Sequence, residues 1–150
     1  EKLLSDMLQD SEPDVRKKAV HALGKILSGE LVARVIKDKD AGVRSAAAQT
    51  LGSIYHSSSN KLASSIHHLE EALKDKDAGV RSAAAQALGS ICQSSEFGHL
   101  EEALKDENED VRKQAAAAIE RIKERLIRNK AQKEEDERQA AWRDGMNRSY

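Results

Sequence analysis

An almost exact internal repeat is the feature that most constrains this chain. Residues 37–54 read KDKDAGVRSAAAQTLGSI and residues 74–91 read KDKDAGVRSAAAQALGSI, so they differ only at Thr50 and Ala87. Weaker copies occur at 10–26 and 106–122. Aligned on Val-Arg, the copies begin at Val15, Val43, Val80 and Val111, which are 28, 37 and 31 residues apart. Spacings of this size are typical of one helical hairpin per repeat.

Two apolar stripes at helical spacing lie within each repeat. The second stripe is Val43, Ala47, Leu51 and Ile54, and Val80, Ala84, Leu88 and Ile91 repeat it. The first stripe is shorter and varies between repeats: Leu4, Met7, Leu8; Leu31, Val35, Ile36; Leu62, Ile66, Leu69, Leu73; Leu100, Leu104. Between the stripes, Asp-Lys-Asp-Ala-Gly predicts a turn with an N-capping carboxylate. Because one hairpin cannot bury its apolar side alone, the sequence predicts an all-α solenoid of about four stacked hairpins.

The predicted solenoid spans residues 1–129, with repeats at about 1–28, 29–57, 58–94 and 95–129. Ile119, Ile122, Leu126 and Ile127 continue the last stripe and predict a C-terminal helix that caps the stack. Residues 130–150 form a charged C-terminal extension, which we expect to be helical or frayed because it has little apolar surface to bury.

Small residues recur where second helices of neighbouring repeats would meet. They are Gly24, Gly52 and Gly89, with the alanine runs 46–48 and 83–85. Glycine inside a helix costs about 1 kcal/mol relative to alanine. Its recurrence therefore predicts a close approach between helices. The fourth repeat has Glu120 at this position, as expected where no repeat follows.

The signature D-x-D-x-x-V-R-x-x-A-A-x-A-L-G-x-I at 38–54 and 75–91 resembles the HEAT-repeat family, in particular its phycobilisome-lyase-type repeats. The resemblance covers about residues 1–125. It implies that an Asp before the turn and the Arg after Val form a structural ladder between repeats. The matching pairs are Asp10/Arg16, Asp38/Arg44, Asp75/Arg81 and Asp106/Arg112.

The resemblance also implies a function. Short arrays of this kind act as sensor or adaptor parts of larger bacterial proteins, including signalling ATPases, and the first residue, Glu1, fits a piece of a longer chain. We therefore expect a non-catalytic scaffold that binds a partner protein or peptide. The alternative that the resemblance leaves open is a subunit of a phycobilin lyase or a related modifying enzyme.

Second helices should line the concave side of the stack, where the variable positions of the motif would contact a partner. The predicted contact residues are Lys17, Lys18, His21, Lys25, Ser45, Gln49, Ser53, Ser82, Gln86, Ser90, Lys113, Gln114 and Arg121, with small Ala46, Ala83 and Ala117. This face is small and polar in its middle and basic at both ends, which would suit a peptide or helix with acidic flanks. The alternative is that these residues are ordinary solvated surface.

The last segment carries Trp142, Met146 and Tyr150 at helical spacing. Three interpretations remain open: the segment packs on its own solenoid or a neighbouring molecule, docks a partner, or links to another domain.

Other function classes receive little support. Charged residues make up 34% of the chain but the net charge is only -1, so no overall field would attract nucleic acid or anionic lipid. Cys92 is the only cysteine, and the five histidines are not placed at ligand spacing with Cys or carboxylates, so we expect no metal site. No phosphate loop or nucleophile motif occurs, hence no cofactor and no catalysis are expected. No apolar run reaches the length of a membrane span, and a cytoplasmic location fits best.

Overall fold

The computed structural model describes residues 2–26, 29–56, 62–92 and 98–147. Within these ranges the chain forms eight helices and no strand: α1 (Lys2–Met7), α2 (Pro13–Lys25), α3 (Gly29–Val35), α4 (Ala41–His56), α5 (Leu62–Ala72), α6 (Ala78–Ile91), α7 (Gly98–Ala103) and α8 (Glu109–Asn147). The predicted all-α fold class is confirmed.

The helices form two layers. The second helices of the hairpins (α2, α4, α6 and α8) pack one on the next, and each first helix (α1, α3, α5 and α7) packs on the second helix of its own hairpin. The core runs continuously through the described repeats, with Val43, Val80 and Val111 fully buried. One predicted core residue is wrong: Leu104 is 39% exposed because α7 ends at Ala103.

Side-chain caps begin three of the second helices. The Asp40 carboxylate accepts a hydrogen bond from the Val43 amide at 3.0 Å, and Asp77 accepts one from the Val80 amide at 3.2 Å. In α8 the cap is the Asn108 side chain, which accepts from the Val111 amide at 3.2 Å. These bonds satisfy backbone donors that the first helical turn leaves without partners, and they fix where each second helix starts.

The predicted close approach of second helices is confirmed at Gly52 and Gly89. A Cβ atom on Gly52 would lie 2.9 Å from the Ala87 Cβ, and one on Gly89 would lie 2.7 Å from both the Cα and the Cβ of Ala118. At Gly24 the nearest atom is instead the Thr50 Cγ2, at 2.5 Å. The single difference between segments 37–54 and 74–91 thus falls at this contact, where Thr50 supplies a methyl group that fills a wider gap.

The C-terminal helix α8 is buried only along its first part. Ile122 is fully buried and Leu126 is half-buried, whereas Ile127 is 71% exposed, so the predicted capping role of Ile127 is wrong. Ile127 lies about 100° further around the helix than Leu126, which turns it away from the core. From Ile122 to Asn147 the helix extends about 38 Å at 1.5 Å per residue.

A residue that the sequence analysis missed fastens α8 to the stack. Arg125 donates hydrogen bonds to the Cys92 carbonyl oxygen at 2.6 Å and to the Gly89 carbonyl oxygen at 2.8 Å. These carbonyls lie at the end of α6, where helical acceptors lack partners within the helix. The repeat pattern offers no signal for Arg125, because its position lies beyond the repeated motif.

Candidate functional site

Three arginines of the repeats form a ladder of equivalent contacts. Arg44 donates through Nε and Nη2 to the two carboxylate oxygens of Asp75 at 2.7 and 2.8 Å, and through Nη1 to the Asp38 carbonyl oxygen at 2.9 Å. Arg16 makes the same contacts to Asp38 and to the Asp10 carbonyl, and Arg81 makes them to Asp106 and to the Asp75 carbonyl. Each arginine therefore joins the turn of its own repeat to the turn of the next.

The hydrogen bonds of the ladder run between repeats, as the resemblance implied, and the structure shows which atoms form them. Within a six-residue pair such as Asp38/Arg44, the arginine contacts the backbone carbonyl of the aspartate and not its carboxylate. The carboxylate partner comes from the following repeat, 22, 31 or 25 residues further along the chain. The rung distances stay alike although these separations differ, so the extra residues of longer repeats do not disturb the ladder.

The carboxylates of the ladder are held in their charged form. Partial burial of Asp38 and Asp75 acts to raise their pKa values, but hydrogen bonds from the facing arginine and from a backbone amide outweigh it, and both pKa values are lowered. For Asp106 the hydrogen bond from Arg81 is the largest influence, and its pKa is lowered too. The same bonds raise the pKa values of the facing arginines. The ladder is therefore a set of permanent ion pairs at neutral pH.

These shifts predict acid sensitivity. A carboxyl whose pKa is lowered by folding stabilises the native state above its unfolded pKa of about 3.9, and that contribution is lost as the pH falls through the folded pKa. We expect Asp75→Asn to be less stable than the wild type at pH 7 by about 2 kcal/mol, since the bidentate contact is weakened. The gap should shrink at pH 3. Urea unfolding followed by circular dichroism at both pH values measures it, and a gap independent of pH would contradict the assignment.

The predicted polar and charged contact residues of the second helices are all accessible to some degree. Lys18, His21, Lys25, Gln49, Ser53, Gln86, Lys113 and Arg121 are exposed, and Lys17, Ser45, Ser82, Ser90 and Gln114 are half-buried. Ala46 and Ala83, which we predicted to face a partner, are instead buried at 7% and 4% exposure.

We call the surface that carries the exposed and half-buried contact residues of α2, α4, α6 and α8 the second-helix face. A groove lies between α4 and α6 in the middle of this face. It has a volume of about 340 Å³ and is lined by Gln49, Gly52, Ser53, Ala83, Gln86, Ala87 and Ser90. The Ser53 and Ser90 hydroxyls donate back to the carbonyl oxygens of Gln49 and Gln86 at 3.1 and 3.2 Å. The groove therefore presents chiefly the two exposed glutamine amides over a floor of alanine and glycine. Each amide offers both a donor and an acceptor.

Basic side chains occupy the equivalent positions at both ends of this groove. In α2, His21 and Lys25 stand at the places that Gln86 and Ser90 hold in α6, and in α8 Arg121 stands at the place of Ser90. Lys17 is different: it pairs with Asp14 at 3.4 Å, and its Cε lies close to Gly42 at the start of α4. Lys17 therefore lies near the turn that precedes α4.

The C-terminal aromatic segment stands apart from the groove. Trp142 and Met146 are 66% and 47% exposed near the end of α8, so the interpretation that this part packs on its own solenoid is wrong. Tyr150 lies outside the described residues. Among the residues that are described, no group of three or more His, Cys, Asp or Glu could hold a metal ion. No described helix is long and apolar enough to cross a bilayer.

Comparisons with known proteins agree with this architecture. The family described as HEAT repeats matches residues 30–120, and a single HEAT repeat matches residues 2–29. The phycobilisome-lyase subtype stays a prediction. No curated protein sequence matches the chain.

Two solved structures show the same fold. An engineered protein from the Northeast Structural Genomics Consortium shares 22% identity and a TM-score of 0.64, covering 81% of this chain and 61% of that one. A designed armadillo repeat protein in complex with peptide (KR)4 shares 22% identity and a TM-score of 0.61, covering 79% and 62%. The chain thus spans about three fifths of the length of each, and the likeness supports the predicted helical solenoid.

Proposed function

Because the chain belongs to the HEAT-repeat family, we propose that it is a non-catalytic scaffold that binds a partner protein or peptide along its second-helix face. Such a scaffold would serve equally as a recognition module within a larger protein. The observation that carries the proposal is the groove between α4 and α6, with its two exposed glutamine amides and basic residues at either end.

The chemistry of the groove defines the ligand it would accept. A floor of alanine and glycine leaves room for an extended backbone, whose amides Gln49 and Gln86 can bind through donor and acceptor together. Lys25 and Arg121 would then attract acidic side chains beyond the two ends of the groove. A ligand with small residues in its middle and acidic residues at its ends fits this arrangement best.

The designed armadillo repeat protein offers a useful contrast, because it is described in complex with the basic peptide (KR)4. A solenoid of this general fold can therefore hold a peptide, and the charges of the ligand should follow those of the face. For the present chain the basic ends reverse the expected preference, toward acidic peptides.

Fluorescence anisotropy with labelled peptides tests the proposal. A peptide with a Gly/Ser/Ala middle and Asp/Glu ends should bind, and its affinity should fall as salt is added because the end contacts are exposed ion pairs. The peptide (KR)4 should not bind. We expect Lys25→Glu combined with Arg121→Glu to weaken binding about tenfold or more, equivalent to about 1.4 kcal/mol.

The matched control is Lys37→Glu, which reverses an exposed charge on the opposite layer, where Lys37 pairs with Glu71 at 3.5 Å. It should leave the affinity for the acidic peptide unchanged. Equal binding of acidic and basic peptides, or equal losses in the face variant and the control, would exclude the second-helix face as the binding site.

A further inference from the structure

The ladder ends at Arg112 with half of a rung. Its Nη1 donates to the carbonyl oxygens of Asp106 and Glu107 at 2.6 and 2.9 Å, as the other ladder arginines bind the turns of their own repeats. Within the described ranges, however, no carboxylate faces its Nε and Nη2 atoms. In the three preceding repeats the arginine binds an aspartate through Nε and Nη2. The Arg112 guanidinium is held in place by the carbonyl oxygens of the turn before α8.

The complementary half of a rung lies at the other end, at Asp10. One carboxylate oxygen of Asp10 accepts a hydrogen bond from the Glu12 amide at 2.9 Å, just as Asp38 and Asp75 accept from the amides two residues later. Asp38 and Asp75 also bind an arginine of the preceding repeat. In the part of the chain that is described, Asp10 has no such arginine. Its carboxylate is therefore oriented by the same turn that orients the paired ones.

The apolar contacts between repeats are also incomplete at both ends. Ile26 is 49% exposed, whereas Ile54, Ile91 and Ile122 at the equivalent position are at most 3% exposed. Ala116 is exposed at the position where Ala48 and Ala85 are fully buried. Among the described residues, Ile26 thus lies on the surface that packs on a preceding repeat elsewhere in the stack, and Ala116 lies on the surface that receives a following repeat.

Charged replacements at the two ends are opposite in sign. Glu120 replaces the glycine that receives the next repeat, and exposed Lys18 replaces the buried alanines Ala46 and Ala83. A helical side chain covers the surface one turn toward its own N-terminus, so Glu120 would reach toward the level of Lys18 in a repeat stacked on α8. Glu120 prevents the closest helix contact but supplies a charge that matches the incoming surface.

We propose that copies of this chain associate end to end, the last repeat of one on the first repeat of the next, with Arg112 binding the Asp10 carboxylate of the neighbouring copy. The two contacting surfaces differ, so the contact is heterologous and can continue from copy to copy. Its charged and partly exposed rung makes the association weak and sensitive to salt.

Sedimentation velocity on the whole chain, over a micromolar to millimolar series, tests this proposal. The wild type should show a rising mean mass with concentration, and added salt should reduce it. Arg112→Asp and Asp10→Arg should each weaken association about tenfold or more. An equimolar mixture of the two variants should restore it, because the aspartate introduced in one variant then faces the arginine introduced in the other.

Two further variants separate this contact from other causes. Ala116→Arg changes only an exposed residue, so the fold should be retained while the C-terminal end is blocked. Trp142→Ala should associate like the wild type, which distinguishes end-to-end stacking from association through the C-terminal helix. A wild type that stays monomeric throughout, a mixture that is not rescued, or association lost only in Trp142→Ala would overturn the proposal.

Discussion

Replacing Arg44 by alanine should lower the free energy of unfolding by about 3 kcal/mol, because it leaves a largely buried carboxylate without its partner. Arg44 and Asp75 are 7% and 13% exposed, and the arginine also donates to the Asp38 and Lys39 carbonyl oxygens. The substitution therefore removes both the ion pair with the third repeat and the hydrogen bonds to the turn of the second repeat. Urea unfolding monitored by circular dichroism measures the loss.

Arg34→Ala is the matched control for this prediction. Arg34 pairs with Glu30 at 3.7 Å on α3, and both side chains are 73% exposed. An exposed ion pair of this kind contributes at most about 0.5 kcal/mol. Similar losses in the two variants would mean that the rung stabilises the protein no more than any surface ion pair.

Replacing Gly89 by alanine should be destabilising by about 2 kcal/mol, although alanine favours helix more than glycine does. The added Cβ would lie 2.7 Å from the Cα of Ala118, and a backbone atom cannot rotate away as a side chain can. Helices α6 and α8 would have to separate. The melting temperature and the urea midpoint should both fall.

The control for Gly89 is Gly98→Ala at the start of α7. A Cβ on Gly98 would meet no atom within 4 Å in the described part of the chain. Its stability should equal or slightly exceed that of the wild type, since alanine restricts the unfolded chain more than glycine does. A neutral Gly89→Ala variant would contradict the close approach of α6 and α8.

Features that recur from repeat to repeat could be predicted from the sequence. Val43 and Val80 are buried as their spacing indicates, and Gly52 and Gly89 lie at the close contacts that their recurrence indicates. Each such feature is set by local helical phase together with a neighbour of the same kind. Because neighbouring repeats share one sequence pattern, that pattern gives the residues on both helices of each contact between repeats.

Features that depend on register between repeats were harder to predict. The resemblance implied a ladder between repeats, but the six-residue spacing of Asp38 and Arg44 does not show which acceptor the arginine binds in each repeat. Arg44 binds the backbone carbonyl of Asp38 and the carboxylate of Asp75. Lys17 was predicted on the contact face, yet it turns to Asp14 and Gly42. Arg125 lies outside the repeated motif, so its contact with the end of α6 depends on tertiary packing alone.

The ladder also explains how this chain could present a binding face at all. A solenoid has only neighbour-to-neighbour contacts, so the relative placement of distant side chains depends on the rigidity of every interface. A bidentate rung and a close glycine contact fix α4 and α6 relative to each other at two separate points. Gln49 and Gln86 are thereby held at a constant spacing, as the proposed binding face requires.

A double-mutant cycle on Arg81 and Asp106 tests most directly whether such rungs hold the repeats together. The single variants Arg81→Gln and Asp106→Asn and the double variant would be unfolded in urea, with Arg81→Gln and Asp38→Asn as the non-contacting reference pair. Our account predicts a coupling free energy of about 1.5 kcal/mol or more for Arg81 with Asp106 and additive effects for the reference pair. Additive effects at the rung itself would contradict the account.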